Sequence, residues 1–145
     1  MPMSDAAMRS LLTSARTIAV VGLSDKPERD SHEVARYLKA QGYRIVPVNP
    51  MVREVLGEKS YASVREIPPE VRVDILDIFR RSDQVPPVVE EGLARGVGAV
   101  WMQLGVENAQ ARSLAESRGV PVVEDLCIMV QHRRLGIPRV PAGVP

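Results

Sequence analysis

The feature that most constrains this chain is a regular alternation between short apolar runs and helical patterns. Five runs of four to seven residues are rich in valine and isoleucine and carry few polar residues. Such runs are typical of strands that are buried on both faces of a parallel sheet. We therefore predict strands at residues 17–21, 44–48, 73–79, 99–102 and 120–124.

Helical patterns fill the connections between these runs and precede the first of them. Capping residues, proline and glycine mark their ends. The predicted helices cover residues 5–15, 31–40, 86–95, 108–117 and 128–134, with a short helical candidate at 63–67 and an irregular tail at 138–145.

The connections between the predicted strands are too long for hairpins. Right-handed crossovers then place helices on both faces of a parallel sheet. The sequence therefore predicts one α/β domain, a three-layer, doubly wound fold of Rossmann type with a five-stranded parallel sheet. We expect its core to span residues 17–134 of the 145.

Charge and composition exclude several classes of partner. The formal net charge is +1, and the basic residues are scattered rather than clustered in one block. Aromatic residues make up only 3% of the chain, which argues against a surface for stacking nucleic-acid bases. No apolar run reaches the length of a membrane span. We expect a cytoplasmic protein that binds neither nucleic acid nor membrane.

Cysteine and histidine content argues against disulfides and metal sites. Cys127 is the single cysteine of the sequence, which excludes an internal disulfide and fits a reducing compartment. His32 and His132 lie far apart in sequence and lack neighbouring thiols or carboxylates in a metal-binding spacing. We therefore expect no metal site.

In a doubly wound sheet, ligands bind outside the carboxyl ends of the strands. The residues that follow the five predicted strands are small, hydroxyl-bearing, amide, basic or thiol residues rather than paired acids and bases. They are Gly22-Leu23-Ser24, Asn49-Pro50, Phe79-Arg80-Arg81, Gln103-Leu104-Gly105 and Asp125-Leu126-Cys127. This composition favours ligand binding over proton transfer.

The loop after the first strand leads into a helix whose N-terminus can receive a phosphate. The hydroxyls of Ser24 and Ser31 would be additional donors, although Ser31 also fits the position of a simple N-cap. Four arginines are candidate phosphate partners: Arg29, Arg53, Arg80 and Arg81. For each of them a solvated surface position is the alternative. Cys127 is either a buried, unreactive residue or a thiol that faces the ligand.

A dinucleotide site is the alternative on the same fold, and the sequence disfavours it. Only Gly22 matches the glycines of the fingerprint, because Ser24 and Pro27 occupy the other two places. An acidic residue that would bind the ribose is also absent after the second strand, which ends in Asn49-Pro50. An NAD(P)-dependent oxidoreductase is therefore the second hypothesis.

The ordered series of strand-end motifs resembles that of the stand-alone CoA-binding domain proteins. These resemble the N-terminal domain of the succinyl-CoA synthetase alpha subunit. The series consists of Val21-Gly-Leu-Ser24, Val48-Asn-Pro50, Asp77-Ile-Phe-Arg80, Trp101-Met-Gln-Leu-Gly105 and Glu124-Asp-Leu-Cys127. The resemblance covers residues 17–134 and implies a CoA or acyl-CoA ligand.

The resemblance also implies which residues hold the ligand. Two segments of the synthetase domain hold CoA, and here they correspond to Gly22, Ser24, Asp25 and Lys26 in the first loop and to Met102, Gln103 and Leu104 after the fourth strand. Asn49 and Pro50 would line the site. A lysine of the synthetase has no clear match here, and Arg53 is its candidate substitute.

The same resemblance leads us to expect that this chain does not catalyse the synthetase reaction. The synthetase reaction requires a phosphorylated histidine in a second domain and a nucleotide-binding subunit, and the sequence contains neither. We expect a non-catalytic binding protein that acts as carrier, sensor or partner of a larger acyl-CoA enzyme. We also expect that Cys127, if its thiol faces the ligand, can exchange with an oxidised CoA to form a mixed disulfide.

Overall fold

A five-stranded parallel sheet forms the centre of the computed structural model, which describes residues 2–141. In chain order the strands are β1 (Thr17–Val21), β2 (Arg44–Val48), β3 (Glu54–Val55), β4 (Glu58–Lys59), β5 (Ile75–Ile78), β6 (Ala99–Met102) and β7 (Val122–Val123). The large sheet has the order β2-β1-β5-β6-β7, and β3 pairs with β4 in a small antiparallel hairpin. The predicted parallel sheet is confirmed.

In the described part of the chain, five α-helices cover the sheet: α1 (Asp5–Ser14), α2 (Asp30–Ala40), α3 (Val85–Arg95), α4 (Ala109–Ser117) and α5 (Ile128–Arg134). Local signals set several of their ends. The side chain of Ser4 accepts a hydrogen bond from the N–H of Ala7 at the start of α1, and Asn108 caps α4 in the same way. Gly96 ends α3 in the left-handed conformation.

Two apolar clusters fill the space between the sheet and its helices. Alternate residues of each strand point to opposite faces, so every buried strand contributes to both clusters. The first face packs against α1, α2 and α5, and its strand residues include Ile18, Val20, Ile75 and Trp101. The second face packs against α3 and α4, and its strand residues include Val21, Val48, Ile78 and Met102. This is the predicted three-layer, doubly wound arrangement.

Several predicted boundaries are wrong. The helical candidate at 63–67 is a single 3-10 turn, Val64–Glu66, and the β3–β4 hairpin in the preceding segment was not predicted. β7 is shorter than the predicted strand because only Val122 and Val123 pair with β6. Residues 138–141 form neither helix nor strand, and the rest of the predicted tail lies outside the described residues.

The strand order creates a crevice at the carboxyl end of β1. From β1 the chain crosses the first face to β2, and from β2 it crosses the second face to β5 on the other side of β1. Gly22 lies at this point, and its N–H donates to the carbonyl of Val48. The N–H of Phe79 donates to the carbonyl of Val21. Ligands of doubly wound proteins bind at such a switch point.

In the described part of the chain, no helix is long and apolar enough to cross a membrane.

Candidate functional site

A cleft of about 750 Å³ opens at the switch point. Its walls are the loop from β1 to α2 and the segment that follows β2. Eight residues that the sequence singled out line it together: Gly22, Ser24, Asp25, Lys26, Arg29, Ser31, Asn49 and Phe79. The carboxyl ends of β1, β2 and β5 therefore meet here, as the sheet topology requires.

Gly22 allows the strand ends to approach closely. Its φ of +83° is in the left-handed region that glycine adopts without strain. A Cβ atom at this position would lie 2.1 Å from the carbonyl oxygen of Phe79, which directly follows the adjacent strand β5. Both the backbone conformation and the lack of space therefore require glycine at the base of the cleft.

Hydrogen bonds within the β1–α2 loop shape one wall of the cleft. The N–H of Ser24 donates to the hydroxyl of Ser31 over 3.0 Å, and the N–H of Lys26 donates to the hydroxyl of Ser24 over 3.1 Å. The expectation that Ser31 caps the helix is wrong, because α2 begins at Asp30 and its N-cap residue is Arg29. Ser31 lies in the first turn and holds the loop against the helix.

The charges around the cleft are mixed. The start of α2 carries backbone N–H groups without intrahelical acceptors and the positive end of the helix dipole, which favour an anion. Lys26 and Arg29 add positive charge, while Asp25, Glu28 and Asp30 carry negative charge on the same lining. An anionic ligand must therefore lie against the helix N-terminus and the two basic side chains, away from the carboxylates.

Sequence reasoning missed four residues that line the cleft. They are Glu28, Asp30, Met51 and Val52. Arg29, one of the four candidate phosphate partners, lines the cleft directly before the start of α2. Met51 is 86% exposed, and it directly follows the Asn49-Pro50 motif.

The structure places two of the other candidate arginines, Arg53 and Arg80, away from the cleft lining. Arg53 is exposed beside the β3–β4 hairpin, where its carbonyl accepts the N–H of Ser60. Arg80 lines a separate hollow of about 190 Å³ on the second face, together with Pro87 and Glu91. Successive residues of an extended chain point to opposite faces, so Phe79 enters the cleft and Arg80 does not.

The segment after β6 makes its own hydrogen bonds with the loop after β7. The side chain of Gln103 is buried, and its oxygen accepts the N–H of Ile128 at the start of α5 over 2.9 Å. The N–H of Gly105 donates to Asp125 over 2.7 Å. Leu104 is 72% exposed. These residues lie at the same sheet edge as the cleft but do not line it.

Met102 and Cys127 were also predicted to contact the ligand, and neither lines the cleft. The side chain of Met102 is fully buried in the apolar cluster of the second face, so it is not available to a ligand in this conformation. Pro50, by contrast, is exposed next to the cleft. Cys127 is half-buried at the N-cap position of α5 and packs against the cluster of the first face. Its exchange with oxidised CoA stays a prediction.

A buried carboxyl group near the cleft was also missed as a functional candidate. Asp77 lies on β5 between Val20 of β1 and Trp101 of β6, two residues before Phe79. It is fully buried, and neither carboxyl oxygen has a hydrogen-bond partner in the described residues. Burial raises the pKa of Asp77 well above its ordinary value. The available signal was an aspartate within a predicted buried strand.

The two histidines lie on the helices that cover the same face of the sheet. His32, in the first turn of α2, is buried, and its Nδ1 has no partner among the described residues. The Nδ1 of His132, on α5, lies 2.7 Å from the hydroxyl of Tyr37. Burial lowers the pKa of His132. Among residues 2–141, no group of three His, Cys, Asp or Glu side chains could hold a metal ion.

Comparison with known proteins finds small proteins of the same size and fold. The uncharacterised protein YneT of Bacillus subtilis (strain 168) is 43% identical over 129 residues, which cover 89% of this chain and 94% of YneT. The solved structure of a hypothetical protein from Pyrococcus horikoshii OT3 has 38% identity and a TM-score of 0.88, covering 93% of this chain and 96% of that one. A protein from Thermus thermophilus has 41% identity and a TM-score of 0.87, covering 92% and 99%.

A longer relative is a subunit of an acetate–CoA ligase, and part of that subunit is similar to this chain. The alpha subunit of acetate–CoA ligase (ADP-forming) II from Pyrococcus furiosus is 47% identical over 126 residues, which cover 81% of this chain and only 28% of that subunit. A family model described as a CoA binding domain matches residues 16–133. The resemblance predicted from the strand-end motifs is thereby confirmed, and the chain belongs to the family of CoA binding domains.

Proposed function

We propose that this protein binds CoA, or an acyl-CoA, in the cleft at the carboxyl ends of β1, β2 and β5. The observation that carries the proposal is the position of the cleft, which joins the sheet's switch point to the N-terminus of α2. The family match over residues 16–133 supports CoA as the ligand.

The cleft offers different groups to different parts of such a ligand. The diphosphate lies against the first N–H groups of α2, with Lys26 and Arg29 as charged donors. Gly22 leaves room for the ligand to approach the backbone. The exposed Met51 and the half-buried Phe79 supply apolar surface for the uncharged pantetheine arm. The ligand would therefore cross the ends of β1 and β2.

Binding without catalysis remains our proposal for this chain. The described residues that line the cleft include no histidine and no cysteine, the side chains that most often act as base or nucleophile near neutral pH. The ligase subunit that shares this domain is several times longer than the match. We therefore propose a carrier, a sensor or a partner of a larger acyl-CoA enzyme.

Ligand choice is the first test of this proposal. CoA at a concentration 100 times its Kd should stabilise the folded state by about 2.7 kcal/mol and raise the Tm accordingly, because it binds only the folded protein. NAD and NADP should bind more weakly, since neither the glycine pattern nor the end of β2 fits a dinucleotide. Parallel calorimetric titrations with the three compounds measure this difference. Tighter binding of NAD or NADP than of CoA would favour the oxidoreductase hypothesis instead.

The contribution of Arg29 provides a second test. Arg29→Ala should weaken CoA binding by roughly 1.5–3 kcal/mol, the usual contribution of a hydrogen bond to a charged group. Arg80→Ala is the matched control, because Arg80 lies at the same sheet edge but lines a hollow on the opposite face. Its effect on the Kd should be small. If Arg80→Ala weakened binding as much as Arg29→Ala, the ligand would have to lie elsewhere along the edge.

A further inference from the structure

The side chain of Asn49 connects the two walls of the cleft. Its Nδ2 donates to the carbonyl of Leu23, in the loop that follows β1, over 3.0 Å. Its Oδ1 accepts the N–H of Met51, in the segment that follows β2, over 2.9 Å. One amide group therefore fixes the distance between two loops that share no other side-chain hydrogen bond among the described residues.

The backbone of Asn49 is itself anchored from behind the cleft. Its N–H donates to the carbonyl of Tyr61 over 2.8 Å, and its own carbonyl accepts the hydroxyl of Ser60 over 3.1 Å. Ser60 is buried, and Tyr61 pairs with Val48 next to the edge strand β2. Hydrogen bonds to the segment after β4 thus hold the backbone of Asn49 in place, and its side chain in turn holds both walls of the cleft.

Asparagine is well suited to this position. Its side chain carries both a donor and an acceptor, whereas an ionised aspartate only accepts and an alanine does neither. Two hydrogen bonds close the turn that contains Pro50: the N–H of Met51 donates to the side-chain oxygen of Asn49 over 2.9 Å, and the N–H of Val52 donates to its carbonyl over 3.4 Å. The amide nitrogen and the amide oxygen each already make one hydrogen bond within the protein, so the side chain has a structural role before any ligand binds.

We infer that Asn49 is a positioning residue that sets the width of the cleft and thereby the affinity for CoA. This inference rests on the proposed function and concerns how the site achieves it. Walls that are held in place before the ligand arrives need not be ordered when it binds, which improves affinity. Without the amide, the β1–α2 loop and the segment after β2 separate, and the groups on the two walls no longer contact the ligand together.

Asn49→Ala tests the inference, and Asn108→Ala is its matched control. Asn108 makes the same pair of contacts away from the cleft, donating to the carbonyl of Ser82 over 3.0 Å and accepting the N–H of Ala111 over 2.8 Å. Both variants should lower the Tm by comparable amounts. Only Asn49→Ala should also raise the Kd for CoA, by roughly ten-fold for the loss of two ordinary hydrogen bonds.

Amide hydrogen exchange of the ligand-free protein separates positioning from direct contact. In Asn49→Ala the amides of Ser24 and Lys26, whose hydrogen bonds do not involve Asn49, should exchange faster, and in Asn108→Ala they should not. Asn49→Asp keeps the acceptor for Met51 and loses the donor to Leu23. Because its carboxylate would also repel an anionic ligand, its readout is hydrogen exchange of the ligand-free protein rather than the Kd: the amides of Ser24 and Lys26 should exchange faster than in the wild type, which provides the test if the alanine variant does not fold.

Two outcomes would overturn the inference: an unchanged Kd in a folded Asn49→Ala protein, or a raised Kd with unchanged exchange at Ser24 and Lys26, which would indicate direct contact. Failure of the wild-type protein to bind CoA would instead contradict the proposed function. The exchange measurement would then still show whether Asn49 holds the two walls together.

Discussion

Gly22→Ala is expected to lower the free energy of unfolding by roughly 2–5 kcal/mol. About 1–2 kcal/mol of this follows from placing an L-residue at a φ of +83°. The remainder follows from the new Cβ, which would lie 2.1 Å from the carbonyl oxygen of Phe79, so that one of the two central strands must shift. Urea or guanidinium unfolding measures the loss.

Gly96→Ala is the control that separates the two contributions to the Gly22→Ala loss, backbone strain and crowding by the new Cβ. Gly96 has a nearly identical φ of +85°, but no atom lies within 4 Å of the position that its Cβ would take. Its substitution should therefore cost only the backbone contribution of about 1–2 kcal/mol. Equal losses for Gly22→Ala and Gly96→Ala would show that the strand ends are not as close as described. Because Gly22 is at the base of the cleft, its variant should also lose affinity for CoA.

Asp77→Asn is expected to stabilise the protein at neutral pH and to change how its stability depends on pH. Burial raises the pKa of Asp77 in the folded protein well above 3.8, while the unfolded chain keeps the ordinary value. Below that ordinary value both states are protonated, and Asp77 makes no pH-dependent contribution. As the pH rises above it, the unfolded chain releases a proton that the folded protein retains, so the free energy of unfolding falls.

The size of this effect follows from proton linkage. The loss in the wild-type protein is about 1.4 kcal/mol for each pH unit, until the raised pKa of the folded state is reached. Asparagine does not ionise, so the free energy of unfolding of Asp77→Asn should not fall in this way. It should therefore exceed that of the wild type by an amount that grows with pH. Denaturant unfolding at several pH values between 4 and 8 measures the difference. The other titratable groups are the same in both proteins, so the difference between the two pH profiles reports on position 77.

Asp74→Asn is the control, and it should change the free energy of unfolding in the opposite direction. One carboxyl oxygen of Asp74 accepts the N–H groups of Arg16 and Thr17, both over 2.9 Å, and the other lies 3.0 Å from Nε of Arg72. Its replacement should lower the free energy of unfolding. If Asp77→Asn were also destabilising at pH 7, the Asp77 carboxylate would have a stabilising partner in the folded protein, contrary to the structure.

The carboxyl of Asp77 has no hydrogen-bond partner within residues 2–141, which is unusual because buried polar groups nearly always form hydrogen bonds. It lies on the first face of the sheet, which α2 and α5 cover with His32 and His132. Asp77 is fully buried and does not line the cleft, although Phe79 two residues later does, so Asp77→Asn should change stability much more than CoA affinity. The calorimetric titration proposed for the wild-type protein measures this directly.

The sequence by itself determined the layers of this protein. The apolar runs of β1 and β6 have no solvated face, and this pattern is local, so it predicts buried parallel strands without knowledge of their partners. The helix ends at Ser4, Asn108 and Gly96 follow from capping, which involves residues only a few positions apart. The strand-end motifs also identified the family, because their residues and their order can be read from the sequence without knowledge of the tertiary structure.

The composition of the cleft was only partly accessible from the sequence. Gly22, Ser24 and Asn49 were found because residues after parallel strands meet at one edge of the sheet. Arg53 and Arg80 follow strands β2 and β5 closely and were assigned to the same site, yet neither lines it. Proximity to a strand end predicts the edge on which a residue lies, but not the face toward which its side chain points.

Only the tertiary structure decided which side chains act together. The order β2-β1-β5 places Phe79 beside Gly22, and a single step along the chain sends Arg80 to the opposite face. The hydrogen bonds from Asn49 to Leu23 and from Ser24 to Ser31 join residues that are distant in sequence or separated by a loop. Such contacts depend on the path of the whole chain, and no local pattern of residues encodes them.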